Sequence, residues 1–361
     1  MNADLISLIN FMKSHNAVYC LATAHIAKEL LSFCFDNGLK IDAFVQPGDT
    51  KDGANFFGVP VYGENLVPLA QNCGWIAAVG DAGAAETFLK LQRSGIYDSF
   101  LVTESMVSEM VRLALLPNAK LKGAAESERC FLLCTGPSIK KLDLLKLKNE
   151  VVFSCNDGFC LPQYKDIAPK YHVMPSVENE MLGDEFNNDY GGFVDEKLTS
   201  KVIFRDYLDR VHLQSRDWLK DKNVFYLLQN LEWDVNSKNI PDLTGPTPII
   251  WNVSVMMLKV ALYMGFRKIY FLGVELDDFN KPYEHAYDAD QYPENFRHLF
   301  VQAEDAHAAC SMYKKLQSTA YVFSELQILN SMARANGIEI YNATGAGILD
   351  MFPRVKYESL F

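Results

Sequence analysis

His285 lies in a short segment with Tyr283 and Tyr287, and Glu275, Asp277 and Asp278 come shortly before it. An imidazole is the side chain best suited to take a proton at neutral pH. Tyrosine hydroxyls can donate to a departing anion, and carboxylates can bind a substrate or a divalent cation. A second group suits phosphate. The run Cys130-Phe-Leu-Leu-Cys-Thr-Gly-Pro-Ser138 reads as a buried strand entering a turn at Gly136, Pro137 and Ser138, with Thr135 at its start and a helix expected over 139–148. Gly136 admits close approach of a ligand. Ser138 can cap the helix, whose positive end favours a phosphate. A second apolar run over 151–155 ends in Asn156-Asp157-Gly158. Together they form one βαβ unit with polar or small residues at the carboxyl ends of its strands. Ligands of open α/β sheets bind there. The same residues also suit an ordinary strand-to-helix turn.

The remaining histidines are less well placed. His298 and His307 fall in a helix of mixed faces, which makes His307 the second candidate base. His15, His25, His172 and His212 have no supporting constellation. Glu275, Asp277 and Asp278 follow an apolar strand at 268–272 that ends at Gly273; they suit a substrate or a solvated loop equally well.

These residues need a scaffold, and the alternation of apolar runs with helical patterns supplies one. With 361 residues, 49% of them hydrophobic, the chain has material for two domains. Over the first ~120 residues, strands at 18–22, 40–45, 58–62 and 75–79 alternate with helices, one ending at Gly38 and another over 65–72. That predicts a Rossmann-like parallel sheet, without a full G-x-G-x-x-G after its first strand. The polar stretch 120–129 is the expected linker, dividing the chain into 1–125 and 126–361. In the second part, strands are expected at 130–135, 151–155, 201–205, 268–272 and 338–341, a buried helix at 253–264 and a further helix at 321–336. The polar, acidic stretch 178–192 reads as a surface excursion or lid. The fold class is therefore α/β, two Rossmann-like domains with mainly parallel sheets.

Net charge is −11, which argues against nucleic acid as a partner. The eight cysteines include no CxxC pair and fall mostly in apolar runs, as buried free thiols of a reducing cytoplasm do. No apolar run reaches the roughly 18 residues of a membrane span, and the amino terminus lacks a basic signal region. A cytoplasmic protein is expected. Peripheral contact with the inner membrane face and homo-oligomer formation are both compatible with this composition.

Three segments together resemble a known family. They are Leu133-Cys-Thr-Gly-Pro-Ser-Ile139 with Ser154-Cys-Asn156; Trp251-Asn-Val-Ser254 running to Gly273 and Val274; and Gly337-Ile-Glu-Ile-Tyr-Asn-Ala-Thr344 continuing to Arg354. The chain resembles, over about 130–355, the bacterial glycosyltransferase group that includes CMP-sialic acid-dependent sialyltransferases and motility-associated factors that glycosylate flagellin. The 6-hydroxymethylpterin diphosphokinases share its core. The resemblance implies a CMP pocket at Gly136, Pro137, Ser138 and Asn156, and Thr135, Asp157, Asn252 and Gly273 are expected to bind the nucleotide beside them. Thr135 replaces the family's usual asparagine. The catalytic histidine of the sialyltransferases has no counterpart in 317–321, whereas His285-Ala-Tyr287 matches a His-Phe-Tyr-type segment of the flagellin branch.

The expected activity is transfer of a nonulosonic acid from a CMP-sugar donor to a glycan or protein acceptor, with no cofactor and no metal. His285, or failing that His307, would take the acceptor proton. Helix-end amides, Ser138 and Tyr283 or Tyr287 would steady the departing phosphate, and Glu275, Asp277 and Asp278 would contact substrate. Two alternatives stand beside this reading. One is a diphosphokinase with magnesium held by Asp277 and Asp278; the other is a nucleotide-binding accessory protein without catalysis.

Overall fold

A computed structural model describes residues 1–46, 54–63, 72–175, 183–282 and 284–361. Most of the helix expected over 65–72, the start of the expected lid and Tyr283 lie outside the described residues. The chain divides into two compact units. One comprises 1–116 and 209–217, the other 117–208 and 218–361.

Among its described residues, the first unit has six strands: β1 (Ala17–Ala22), β2 (Ala43–Gln46), β3 (Asn55–Phe56), β4 (Val59–Gly63), β5 (Cys73–Ala78) and β6 (Ser99–Leu101). Their order is β3-β4-β2-β1-β5-β6, and all pairs are parallel except β3 with β4. Helices α1 (Ala3–Lys13), α2 (Ala24–Asn37), α3 (Asp81–Arg93) and α4 (Glu104–Leu115) alternate with them. Gly38 closes α2 at φ 61°, a left-handed position that glycine takes without penalty. Residues 209–217 join this unit through a short helix, which the guanidinium of Arg210 ties to Ser32 and Asp36.

The second unit carries the larger sheet. Its strands are β7 (Arg129–Leu133), β8 (Val152–Cys155), β9 (Tyr171–Met174), β10 (Val202–Asp206), β11 (Asn223–Leu227), β12 (Gln229–Leu231), β13 (Thr247–Pro248), β14 (Lys268–Leu272) and β15 (Glu339–Asn342). Seven of them form one parallel sheet in the order β11-β10-β9-β8-β7-β14-β15; β12 and β13 pair separately. The expected α/β class with parallel sheets is thus observed. Phe131, Leu132, Leu133, Val152 and Phe153 are all fully buried, as strands covered on both faces require.

The helix Val253–Met264 matches its expected bounds. It is buried along its length, and each of its large apolar side chains contributes roughly 1.5–3 kcal/mol of hydrophobic stabilisation. Asn252 caps its start, accepting the Ser254 N–H at 2.9 Å, and Gly265 ends it at φ 89°. Three further helices are Gly183–Lys197, Arg297–Ala309 and Met312–Ala335.

Three expectations need correction. Residues 139–148 form two 3-10 turns, Pro137–Lys141 and Leu144–Asn149, instead of one helix. The break is at Leu142, which is extended (φ −99°, ψ 144°), while the Asp143 carboxylate accepts the Leu145 N–H. Residues 183–192 of the expected lid are helical, and the same helix buries Tyr190, Phe193 and Val194. Residues 120–129 are held to the second unit rather than forming a free linker: Gly123 N–H donates to Tyr263 O and Ala125 N–H to Met264 O. Just before them, the Asn118 side chain donates to Tyr226 O and Leu243 O.

Candidate active site

In the large sheet, the chain leaves β7 towards β8 on one side and returns as β14 on the other. This reversal of strand order is the topological switch point, where ligands of doubly wound sheets bind beyond the carboxyl strand ends. A cleft of about 210 Å³ opens there. The end of β7 supplies Thr135, Gly136 and Pro137; β8 supplies Asn156; β14 supplies Gly273, Glu275, Asp277 and Asp278. Asn252 and Val253 line it from the start of the buried helix, and Lys281 and His285 from the following loop.

Two wall residues other than glycine have left-handed backbones, Asn156 at φ 44° and Leu276 at φ 55°. Such conformations cost on the order of 1 kcal/mol for a non-glycine residue and cluster where function fixes the backbone. The support for Asn156 is His172, fully buried beneath it. Its Nε2 lies 2.8 Å from the Asn156 carbonyl and its Nδ1 2.6 Å from Ser154 Oγ. A carbonyl only accepts, so Nε2 carries the proton and Nδ1 accepts from the serine hydroxyl. Burial lowers the His172 pKa to about 3.

His285 is positioned by the strand end it faces. Its Nδ1 is 3.2 Å from Thr135 Oγ1, and the next amide, Ala286 N–H, donates to Thr135 O at 2.8 Å. Its ring stacks on that of Tyr287, with centroids 5.0 Å apart. Burial lowers its pKa below 6.5 against the opposing hydrogen bond to Thr135, so the imidazole is neutral at pH 7. In the tautomer whose Nδ1–H donates to Thr135, Nε2 is the basic nitrogen.

Not every expected residue reaches the cleft. Asp157 is half-buried and does not line the cleft; it accepts from the hydroxyls of Tyr190 and Tyr292, and desolvation raises its pKa. Tyr287 is buried under His285. His307 lies on the helix Arg297–Ala309, with Nε2 3.8 Å from an Asp278 oxygen. Ser138 Oγ is buried without a hydrogen-bond partner among the described residues.

The Gly-Pro-Ser turn also differs from a phosphate cradle, because its amides are spent. Gly136 N–H donates to Gly273 O at 3.1 Å, Pro137 has none, Ser138 N–H donates to Glu275 Oε1 at 3.0 Å, and Ile139 N–H turns back to Gly136 O at 3.4 Å. The anion position holds the protein's own carboxylate.

Two features lay beyond the sequence reading. Lys259 is fully buried in the helix below the cleft. Its ammonium donates to Pro248 O at 2.6 Å, and burial lowers its pKa to about 7. A lone lysine inside the apolar run 253–264 was its sequence signal. The second is an aromatic pair. Trp251, next to Asn252, is 54% exposed and stacks on Tyr321, 40% exposed, at 4.6 Å between centroids. The Glu325 carboxylate holds the Trp251 amide at 3.1 Å.

No protein-family profile matches the sequence, and no curated protein matches it. Among solved structures, the chain is similar to the MAf glycosyltransferase from Magnetospirillum magneticum AMB-1, at 13% identity and a TM-score of 0.40. The likeness covers 80% of this chain and 49% of that one, so the chain spans about half that protein's length. At that score it decides neither fold nor function.

Among the described residues no helix is long and apolar enough to cross a membrane.

Proposed function

We propose that the chain is a glycosyltransferase that takes a nucleotide-activated sugar, a CMP-linked nonulosonic acid, in the cleft of its second unit. The observation that carries this reading is the switch-point cleft itself, with Asn156, Asn252 and His285 converging on it. With the Gly-Pro-Ser amides occupied, the donor phosphate has two remaining partners. One is the N-terminus of the helix Val253–Met264, whose first residues line the cleft. The other is Lys281, paired with Asp277 at 2.5 Å.

In the reaction, the bond between the anomeric carbon and the phosphate oxygen breaks, and its electron pair leaves with CMP. The acceptor oxygen bonds to that carbon, and its proton passes to Nε2 of His285, which is neutral at pH 7. The exposed Trp251–Tyr321 pair adjoins the cleft in sequence through Asn252 and suits the apolar face of an acceptor sugar ring. The described residues that line this cleft all belong to the second unit. The first unit's role in this reading is acceptor recognition or assembly.

Calorimetric titration tests the donor assignment: CMP should bind more tightly than UMP or AMP. Equal affinity for the three would remove the cytidine donor from the reading.

A further inference from the structure

We propose that Glu275 determines what the cleft selects. Its carboxylate fills the anion position of the Gly-Pro-Ser turn, excludes a phosphate there, and instead accepts hydrogen bonds from neutral donors of the nucleoside, a ribose hydroxyl or a base amine. The proposal rests on the nucleotide reading above and assigns the polarity of one subsite within it.

The carboxylate is built into place. Glu275 is 7% exposed yet lines the cleft. Its Oε1 accepts the Ser138 amide at 3.0 Å. The side chain occupies space that exists because residue 136 lacks a Cβ; a methyl there would lie 1.6 Å from Oε2. The backbone is equally fixed. The Glu275 carbonyl accepts from Ile348 N–H at 2.8 Å, and Val274 N–H donates to Thr344 Oγ1 at 3.2 Å. A Cβ at Gly347 would come within 2.3 Å of the Glu275 backbone, and Leu276 follows at φ 55°. A side chain anchored at both ends does not swing aside for an incoming anion.

The consequence is chemical. A turn with a free amide attracts an anion, whereas one whose amide already holds a carboxylate repels it. An ionised carboxylate has about four acceptor sites and no donor, so it reads hydroxyl and amine groups. In dinucleotide folds, an acidic residue reads ribose hydroxyls by the same chemistry.

The test uses the full chain and three probes: cytidine, CMP and inorganic phosphate. The wild type should bind both cytidine and CMP, the latter more tightly through Lys281 and the start of the helix Val253–Met264, and should not bind inorganic phosphate at the turn. Glu275→Gln, checked for an unchanged melting temperature, should weaken cytidine by about tenfold or more, the loss of a charge-assisted hydrogen bond. Glu275→Ala frees the Ser138 amide and should gain binding of inorganic phosphate. Uridine and dideoxycytidine then identify the donor, since the first lacks the base amine and the second the ribose hydroxyls.

Undiminished cytidine affinity in Glu275→Gln would overturn the proposal, as would phosphate binding by the wild type at this turn. If Glu275→Ala does not fold, the glutamine variant decides. Absence of both cytidine and CMP binding to the wild type would sink the nucleotide reading instead, and phosphate capture by Glu275→Ala would still report the anion position.

Discussion

His172 donates from Nε2 to the carbonyl of Asn156 and so holds a left-handed residue in the wall of the cleft. The bond needs a neutral, buried imidazole, which has a stability consequence. The His172 pKa is about 3 when folded, against an ordinary 6.5. Above pH 6.5 neither state binds the proton. Between 6.5 and 3 the unfolded chain binds it and the folded one does not, so stability is lost as the pH is lowered across that window. One proton corresponds to about 1.4 kcal/mol per pH unit. Chemical denaturation at pH 6, 5 and 4 should show this slope in the wild type and a shallower one, by roughly one proton, in His172→Gln. Equal slopes would mean that His172 does not titrate as described.

Gly136→Ala should destabilise the protein. The added methyl would fall 1.6 Å from Glu275 Oε2 and 2.6 Å from Gly273 O. Overpacking of this kind typically costs about 1–3 kcal/mol, a drop of roughly 2–10 °C in Tm. Gly192→Ala is the control: it lies in a helix and its Cβ would meet nothing within 4 Å. Its Tm should hold or rise. Calorimetric scans of both variants check the pair, and an unchanged Gly136→Ala would show that Glu275 lies elsewhere.

Turnover should persist in EDTA. Asp277 is engaged by Lys281 at 2.5 Å, and Asp278 stands 3.8 Å from His307. Both carboxylates that a diphosphokinase would turn towards magnesium thus face the protein's own basic side chains. A complete loss of turnover in EDTA, restored by magnesium, would favour the diphosphokinase alternative.

Much of this scaffold was legible in the sequence. Strands buried on both faces read as apolar runs, which is why β7, β8 and β14 and the residues at their ends were found. Strand β9 was not, because its Tyr-His-Val-Met sequence carries His172, a polar residue that packing and two hydrogen bonds make acceptable inside. The helix expected over 139–148 failed because the Asp143 side chain competes with the backbone for the Leu145 amide. The bond between Glu275 and Ser138 spans 137 positions and depends on the pairing of β14 with β7, a register that no local pattern encodes.

Trp251→Ala should raise the acceptor KM by up to about tenfold, the range of one aromatic contact, with the donor KM unchanged. Steady-state kinetics with each substrate varied in turn checks this. A donor effect of equal size would place Trp251 on the wrong side of the reaction.

His285→Ala should lower turnover by about 10²–10⁴-fold while leaving CMP affinity nearly unchanged. The wild-type rate should fall on the acid side only, at a pH below 6.5, because burial depresses the pKa of the base. His307→Ala should do less. A His285→Ala variant that keeps more than about a third of wild-type turnover would remove the histidine from its role.

The central claim is that the switch-point cleft holds the nucleotide, and Asn156→Gly tests it most directly. Asn156 has φ 44°, which glycine adopts without strain, so the variant removes only the side chain. Its Tm should be unchanged or raised, and its CMP affinity, read by calorimetry, should fall by about tenfold, the value of one lost hydrogen bond. A well-folded Asn156→Gly protein that binds CMP as tightly as the wild type would contradict the account.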